Sequence, residues 1–208
     1  MPQTFFGFYD LDASGARGVS SDLATRLGGA SQGDGFIQGC LYVRSDAGGV
    51  AAQLRYDGPE DWAQREPQAT LLQAAQWRSR NSDGRNYRLV DRLAADRDAI
   101  DSSFFAIQRF DTNAETQKRL IAALHDYYER FGVPIEGFVS GETYTSGDGA
   151  RVIFLMAWEH EAALNALENA PGSLAAMQTH LGLATRHEYG SYERVSRLGD
   201  TSWERIER

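Results

Sequence analysis

The segment TFFGFYDLDA at residues 4–13 returns as SFFAIQRFDT at residues 103–112, and this repetition decides the predicted fold. A second segment, YRLVDRLA at residues 87–94, returns as YERVSRLG at residues 192–199. The two matches occur in the same order and at nearly the same spacing, so few insertions separate the copies. The sequence therefore predicts an internal duplication of a module of about a hundred residues, a common domain size.

The second copy, predicted to span residues 99–208, alternates strand-like and helix-like patterns. Thr112 and Glu115 form a capping-box pattern at the start of its first helix, and Gly132 ends that helix. Its predicted elements are a strand at 104–110, a helix to Gly132, strands at 135–144 and 151–158 around the turn SGDG, a helix over about 161–181 broken at Pro171-Gly172, and a strand at 189–198.

The first copy, predicted to span residues 1–98, repeats this order. Its predicted elements are a strand at 4–11, a helix over about 17–31, a hairpin at 36–56 that turns at 46–49, a helix over about 60–76 and a strand at 86–93. A polar link at residues 94–101 joins the copies. Each copy therefore reads strand-helix-strand-strand-helix-strand, which is the ferredoxin-like arrangement.

The strand at residues 151–158 is apolar on both faces. Val152, Phe154, Met156 and Trp158 point to one side, whereas the side chains between them, Ile153, Leu155 and Ala157, point to the other. A sheet with one face in water alternates apolar and polar residues, and this strand does not. We therefore expect an α+β fold in which helices cover one face of each sheet and the antiparallel sheets of the two copies pack face to face.

Composition and charge exclude several classes of function. The chain carries 29 acidic and 21 basic residues, a net charge of −8, whereas a nucleic-acid-binding protein needs a basic surface. The first residues, MPQTFFGFYD, lack the basic region of a signal peptide, and the sequence has no apolar run long enough to span a membrane. We expect a cytoplasmic protein that binds neither nucleic acid nor membranes.

Familiar catalytic and metal-binding motifs are absent from the sequence. Cys40 is the one cysteine, and its apolar neighbours favour a buried thiol over a nucleophile. The four histidines lack the spacing of a metal site, and no GxSxG, P-loop or GxGxxG motif occurs in its structural context. We therefore expect a site built from aromatic residues and isolated histidines, without a metal.

The segment VIFLMAWEHEAALNALE at residues 152–168 resembles the antibiotic biosynthesis monooxygenase superfamily. The resemblance implies the dimeric α+β barrel of ferredoxin-like modules, with both halves in one chain, so a monomer or a homodimer is expected. It also implies a small aromatic substrate and no cofactor, because known relatives convert aromatic polyketides to quinones without metal or flavin. Haem-degrading enzymes and polyketide cyclases share this fold, and fold alone does not choose among them.

The quinone-forming relatives share an Asn, a Trp four residues later and a Tyr six residues beyond. This chain departs from that pattern, because neither copy keeps the Asn, although each keeps an aromatic residue at the central place. The corresponding residues are Phe154, Trp158 and Leu164 in the second copy and Ala52, Tyr56 and Trp62 in the first. The haem-degrading relatives have a His ten residues after the Trp, where this chain has Glu168 and Glu66, so haem chemistry is not expected.

The candidate site residues follow from these positions and from the histidines. The predicted catalytic residues are Trp62, Tyr56, Trp158, His160 and His187, and the predicted substrate-binding residues are Phe154, Tyr144, Met156, Leu164 and His180. For Trp158 and Phe154 a purely structural place in the core is an equal alternative, and for His160 the alternative is a helix cap. Because the aromatic places differ between the copies, we expect unequal pockets, only one of which binds the ligand.

The resulting hypothesis is a cofactor-independent monooxygenase that tailors an aromatic polyketide by oxidising a phenol or anthrone to a quinone. The protein would hold the ring between aromatic walls, assist proton loss and stabilise the oxyanion. A cyclase of the same fold and a non-catalytic barrel that binds an aromatic ligand are the alternatives.

Overall fold

The computed structural model describes residues 3–11, 21–25, 35–57, 79–94, 104–199 and 202–205. The strands are β1 (Gln3–Leu11), β2 (Phe36–Arg44), β3 (Gly49–Tyr56), β4 (Ser79–Ala94), β5 (Phe104–Asp111), β6 (Phe138–Ser146), β7 (Arg151–Trp158), β8 (Arg186–Gly199) and β9 (Ser202–Arg205). The helices are α1 (Ala114–Phe131), α2 (Glu161–Asn169) and α3 (Ser173–Leu181), and residues 21–25 are also helical.

The order of elements agrees with the prediction from β1 to β8 wherever the chain is described, whereas β9 was not predicted. From β5 to β8 the second copy reads strand-helix-strand-strand-helix-strand, with the last helix divided into α2 and α3. Residues 21–25 fall within the helix predicted over 17–31, whereas the helix predicted over 60–76 lies outside the described residues. Strand β4 begins at Ser79, seven residues earlier than predicted. The fold class is α+β, as predicted.

The chain separates into two compact units, one of residues 1–88 with 192–208 and one of residues 89–191. The boundaries between these units fall inside the long strands β4 and β8, so each of these strands contributes to both units. The module boundary predicted between residues 98 and 99 lies outside the described residues.

The first unit contains an antiparallel sheet with β3 between β1 and β2. Strand β4 pairs with the other edge of β1, and the end of β8, from Tyr192 onward, pairs with β2. Most side chains of β1 and β3 are buried, and one cluster gathers Phe5, Tyr9, Leu41, Leu54 and Tyr56. The thiol of Cys40 is buried as expected, and burial raises its pKa, so it lacks the thiolate character of a nucleophile.

The second unit is organised around β7, which pairs antiparallel with β5 and β6. Val152, Phe154, Met156 and Trp158 are fully buried and pack in one cluster with the apolar stripes of α1 and α2. The alternate residues of β7, Ile153, Leu155 and Ala157, are also buried. Both faces of this strand are therefore removed from water, as its continuous apolar pattern predicted.

The start of α1 differs from the prediction. Asn113, rather than Thr112, is the N-cap, and its side chain accepts hydrogen bonds from the backbone N–H groups of Glu115 and Thr116. The hydroxyl of Thr112 instead donates to the carbonyl of Gly149 at the β6–β7 turn. Asn and Thr are both good N-caps, so the sequence alone did not decide which residue begins the helix.

The predicted break at Pro171-Gly172 divides the last helical region into α2 and α3. His160 caps α2, because its Nδ1 accepts a hydrogen bond from the backbone N–H of Ala163. Ala170 is extended, and Gly172 has φ +82°, in the left-handed region that favours glycine. The turn at Gly172 redirects the chain so that α3 packs on both α1 and α2.

Gly141 on β6 provides a test of packing at this sheet. A Cβ added there would lie 2.7 Å from Cζ of Phe154, whose ring is fully buried, whereas a Cβ at Gly147 would meet nothing within 4 Å. We expect Gly141→Ala to lower the free energy of unfolding by about 1–3 kcal/mol through overpacking. Gly147→Ala, the matched control, should change it by about 0.5 kcal/mol or less. Urea unfolding followed by tryptophan fluorescence measures both, and equal stability of the two variants would contradict this packing.

Candidate functional site

The side of the second unit's sheet that faces the helices carries aromatic rings and several polar groups. Phe154 on β7 stacks on Tyr128 of α1, with ring centroids 4.3 Å apart. Gln108 lies opposite Phe154 on β5, and its amide Nε2 donates to the hydroxyl of Tyr128 at 2.7 Å. Within the described residues the Oε1 of Gln108 has no hydrogen-bond partner although it is buried. An apolar core therefore contains polar groups at this face.

Two histidines lie beside this face, at the β5 end that carries Phe110. The ring of His187, on β8, stacks on Phe110 with centroids 4.7 Å apart. The ring of His180, on α3, stands edge-on to Phe110 at 6.1 Å and edge-on to Tyr127 at 5.0 Å. The hydroxyl of Tyr127 in turn shares a hydrogen bond of 2.6 Å with that of Ser173. We call these five residues, Phe110, Tyr127, Ser173, His180 and His187, the imidazole site.

Burial keeps both imidazoles neutral at physiological pH. His180 is 1% exposed, and burial together with the proximity of His187 lowers its pKa from 6.5 to about 4. Burial also lowers the pKa of His187. Neither ring nitrogen of His180, nor Nε2 of His187, has a hydrogen-bond partner among the residues that the structure describes. A neutral imidazole whose nitrogens are not engaged can accept a proton or hydrogen-bond to a ligand.

Three tyrosines, one in the imidazole site and two near it, are held protonated. Burial raises the pKa of Tyr127, and it raises that of Tyr128 well above its ordinary value. Burial also raises the pKa of Tyr189, at the edge of the site on β8, to about 12, and its hydroxyl donates to Glu168. At neutral pH these residues are therefore protonated and present aromatic rings, whereas the two neutral imidazoles can accept a proton.

The structure brings several of the predicted site residues together. Phe154, Met156, Trp158 and Leu164 lie in one cluster between the sheet and α1 and α2, and His180 and His187 lie at the neighbouring Phe110. The indole of Trp158 stands edge-on to Phe138 at 5.1 Å, and its buried Nε1 has no hydrogen-bond partner within the described ranges. These observations are consistent both with a structural role of Trp158 in the core and with a role in the site.

Other predicted residues lie elsewhere. His160 caps α2, the structural alternative that the sequence left open. Tyr144 pairs with Ile153, on the face of the sheet opposite to Phe154, and its hydroxyl donates to the carboxylate of Glu142. Tyr56 belongs to the first unit, where its hydroxyl donates to Asn86 at 3.2 Å. Trp62 lies outside the described residues.

The strand registers also revise the alignment of the two copies. Phe104 lies opposite Trp158, and Phe5, its counterpart in the repeat, lies opposite Leu54. When the two copies are aligned through their first strands, Leu54 of the first copy therefore corresponds to Trp158 of the second. Tyr56 lies two residues further along the same face.

Sequence reasoning missed Phe110, Tyr127 and Ser173 as members of the site. Phe110 lies in a predicted strand and Tyr127 in a predicted helix, and this local assignment does not identify their neighbours. Ser173 carried no signal, because its place was set by the turn at Gly172. Among the described residues, no group of three or more His, Cys, Asp or Glu is arranged to hold a metal ion. No described helix is long and apolar enough to cross a membrane.

The lowered pKa of His180 predicts a loss of stability in acid. The unfolded chain binds a proton at this residue near pH 6.5, whereas the folded protein does so only near pH 4. The free energy of unfolding should therefore fall as the pH drops from 6.5 to 4, by on the order of 3 kcal/mol for this group. In His180→Gln the free energy of unfolding should fall less over this pH range, because the contribution of this imidazole is removed. Urea unfolding at several pH values measures the difference.

His125 provides the matched control, because a hydrogen bond to Asp91 raises its pKa. Its stabilising contribution is present in acid and is lost as the pH rises through the raised pKa, which is the opposite sign. His125→Gln should therefore retain an acid loss at least as large as that of the wild type. A His180→Gln protein with an unchanged pH dependence would show that His180 is not buried in its neutral form.

Comparison with known proteins supports the fold. No family model and no curated protein matches the sequence. Among solved structures, this chain is similar to an anthrone oxidase-like protein, with 14% identity and a TM-score of 0.82. The match covers 97% of this chain and 95% of that protein. A monooxygenase-like protein from Listeria innocua matches 93% of this chain over 94% of its own, with 10% identity and a TM-score of 0.55.

A ferredoxin-fold protein from Listeria monocytogenes, related to antibiotic biosynthesis monooxygenases, matches 93% of this chain over 95% of its own, with 9% identity and a TM-score of 0.51. At these identities the likeness concerns the fold. The sequence resemblance, the order of elements in the second copy and these structures agree. The chain has the ferredoxin-like α+β fold of the antibiotic biosynthesis monooxygenase-like proteins.

Proposed function

We propose that this chain is a cofactor-independent monooxygenase that oxidises a phenolic polycycle of the anthrone type to a quinone, as in the tailoring of aromatic polyketides. The observation that carries the proposal is the pair of neutral imidazoles, His180 and His187, packed against the ring of Phe110. Such a pair supplies a base in surroundings that suit a flat aromatic ligand.

The reaction needs a base because the substrate supplies the electrons. Removal of a proton from the methylene carbon of an anthrone leaves a carbanion, which dioxygen oxidises to a peroxide anion bonded to that carbon. The imidazolium returns its proton to the peroxide, and loss of the second C–H proton with hydroxide leaves the quinone carbonyl. One oxygen atom enters the product and the other departs as water, so atoms and electrons balance without another reductant.

The surroundings of His180 favour the proton transfer once an anion forms beside it. Burial lowers its pKa, with a further contribution from His187, because an isolated imidazolium is poorly solvated there. A carbanion or phenolate in contact with the ring would reverse that effect, since opposite charges attract strongly where water is excluded. The ion pair therefore forms together with the reactive intermediate, which is the state that a catalyst must stabilise.

The fold is consistent with this proposal. The structure described as anthrone oxidase-like shares the fold over nearly the whole chain. The cluster of Phe154, Tyr128 and Tyr127 offers further aromatic walls next to the imidazoles. The assignment to this chain rests on the imidazole site rather than on that likeness, because one fold supports several activities.

Oxygen uptake by the purified, metal-stripped protein supplied with an anthrone tests the proposal. We expect enzyme-dependent uptake of one dioxygen per quinone formed, above the spontaneous oxidation in the same buffer. His180→Gln should lower kcat/KM by roughly 100-fold or more, because a general base typically contributes that much. His187→Gln should also lower kcat/KM. His125→Gln should leave it unchanged, because this histidine hydrogen-bonds to Asp91 and is not part of the imidazole site.

The product's mass separates the alternatives. A mass increase that includes one atom from labelled dioxygen supports a monooxygenase. Loss of water, or an isomer of the substrate, would identify a cyclase and contradict the proposal. Quenching of tryptophan fluorescence by an anthraquinone with no turnover would instead identify a non-catalytic binding protein.

Unequal pockets in the two copies give a further prediction. Trp158 is fully buried on the face of β7 that also carries Phe154, opposite Phe104, and Trp62 is the tryptophan candidate of the first copy. We expect Trp158→Phe to weaken anthraquinone binding by roughly tenfold, because it loosens the packing of the face that carries Phe154, and Trp62→Phe to change it little. Fluorescence titration measures both affinities. Equal losses in the two variants would count against a single functional copy.

A further inference from the structure

Four of the five residues of the imidazole site are buried and His187 is partly exposed, so a ligand cannot reach Phe110 and His180 without movement of a covering element. Tyr127 and Phe110 are buried, and His180 and Ser173, both on α3, are almost inaccessible to solvent. A ligand that contacts Phe110 and His180 must therefore displace part of the protein. The question is which element is held weakly enough to move.

Helix α3 is anchored differently from its neighbours. Its two fully buried residues are Ser173 and His180, both polar, whereas those of α2 are Ala163, Leu164 and Leu167. Leu174, in the first turn of α3, is 64% exposed. Apolar burial supplies most of the free energy that holds a helix on a sheet, and the apolar residues that α3 packs on the core, Ala176, Met177 and Leu181, are only partly buried.

Both ends of α3 adjoin glycines. It begins after Pro171 and the left-handed Gly172, which provides no side-chain cap, and it ends at Gly182. The N-terminal side chain that would stabilise the first turn of a helix is thus absent at α3, in contrast to Asn113 at α1. Short segments of this kind absorb the backbone rotations of a hinge.

One hydrogen bond fastens the beginning of α3 to α1. The hydroxyls of Tyr127 and Ser173 lie 2.6 Å apart in a buried position, and the ring of the same tyrosine stands edge-on to His180. Ser173 and His180 are seven residues apart and so share one face of the helix. Tyr127 therefore contacts both ends of that face, and its contact with Ser173 fixes where the imidazole of His180 lies.

We propose that α3 is a lid over the imidazole site, and that Tyr127 and Ser173 are positioning residues that latch it closed with His180 against the substrate. Opening breaks the Tyr127–Ser173 hydrogen bond, withdraws His180 and uncovers Phe110 and His187 for a planar aromatic ligand. Closing brings back the base and excludes water. The role of His180 as the base rests on the proposed function, whereas the lid itself does not.

Amide hydrogen exchange of the full chain tests the lid without any turnover. In the wild type we expect residues 173–181 to exchange faster than the centre of α1, and saturating anthraquinone to slow them. Ser173→Ala and Tyr127→Phe, which each remove one hydroxyl, should speed exchange in 173–181 by roughly fivefold to tenfold and leave α1 unchanged. Ser173→Thr keeps a hydroxyl and should restore the slower rate.

The double variant and a neighbouring control sharpen the test. If the two hydroxyls act through one hydrogen bond, Tyr127→Phe combined with Ser173→Ala should exchange no faster than either alone. Leu174→Ala alters an exposed residue of the same helix and should have little effect on exchange. Additive effects, or exchange of α3 that is as slow as that of α1 and insensitive to Ser173→Ala, would overturn the latch.

Kinetics with an anthrone separate this inference from the proposed function. A misplaced base should lower kcat roughly tenfold in Ser173→Ala, with recovery in Ser173→Thr. Oxygen uptake that Ser173→Ala leaves unchanged would overturn the positioning role while the proposed function stands. Fast, ligand-sensitive exchange of α3 in a protein without oxygen uptake would support the lid and contradict the oxygenase.

Discussion

Strand β7 has a paired strand on each side and buried side chains on each face, and the arrangement of the second unit depends on this constraint. Its partners β5 and β6 satisfy its backbone hydrogen bonds. Phe154 and the other residues on its helix-facing side then require an apolar cover, which α1 and α2 provide. Because that cover is close-packed, any polar group placed under it must be neutral or paired.

This requirement explains the state of the histidines. Burial raises the free energy of an imidazolium, so His180 and His187 are neutral in the closed protein, and the same burial makes the folded state sensitive to acid. Several polar atoms on this face have no partner among the described residues. Native cores contain few such atoms, and each lowers stability. Their concentration beside one aromatic face is typical of a site where stability is exchanged for function.

The two helices that follow β7 differ in role: α2 belongs to the core, and α3 covers the imidazole site. Helix α2 packs with small and aliphatic residues and is capped by His160, so it belongs to the permanent core. Helix α3 carries Ser173 and His180 inward and is flanked by glycines. A base carried on such a helix is brought to the substrate only when the lid closes, which would link proton removal to the exclusion of water.

The sequence by itself predicted a duplication, and it determined the α+β class, the order of elements in the second copy and the burial of both faces of β7. These features follow from periodicity and turn residues, which are local and can be read along the chain. It also identified His180 and His187 as candidates, but not their common neighbour Phe110. Thr112 and Asn113 show the limit at a helix start, where two suitable caps are adjacent and the observed contacts favoured the second.

Only the tertiary structure decided which side chains meet. Phe110, Tyr127, Ser173 and His187 lie on β5, α1, α3 and β8, and no local pattern states which residue of one element faces which residue of another. Likewise Tyr144 and Phe154, both assigned to one site from the sequence, lie on opposite faces of the sheet because the register after the bulge between Phe138 and Ser140 sets the side on which each residue points. Register and helix packing depend on contacts between distant segments, and a single sequence read along its length does not contain them.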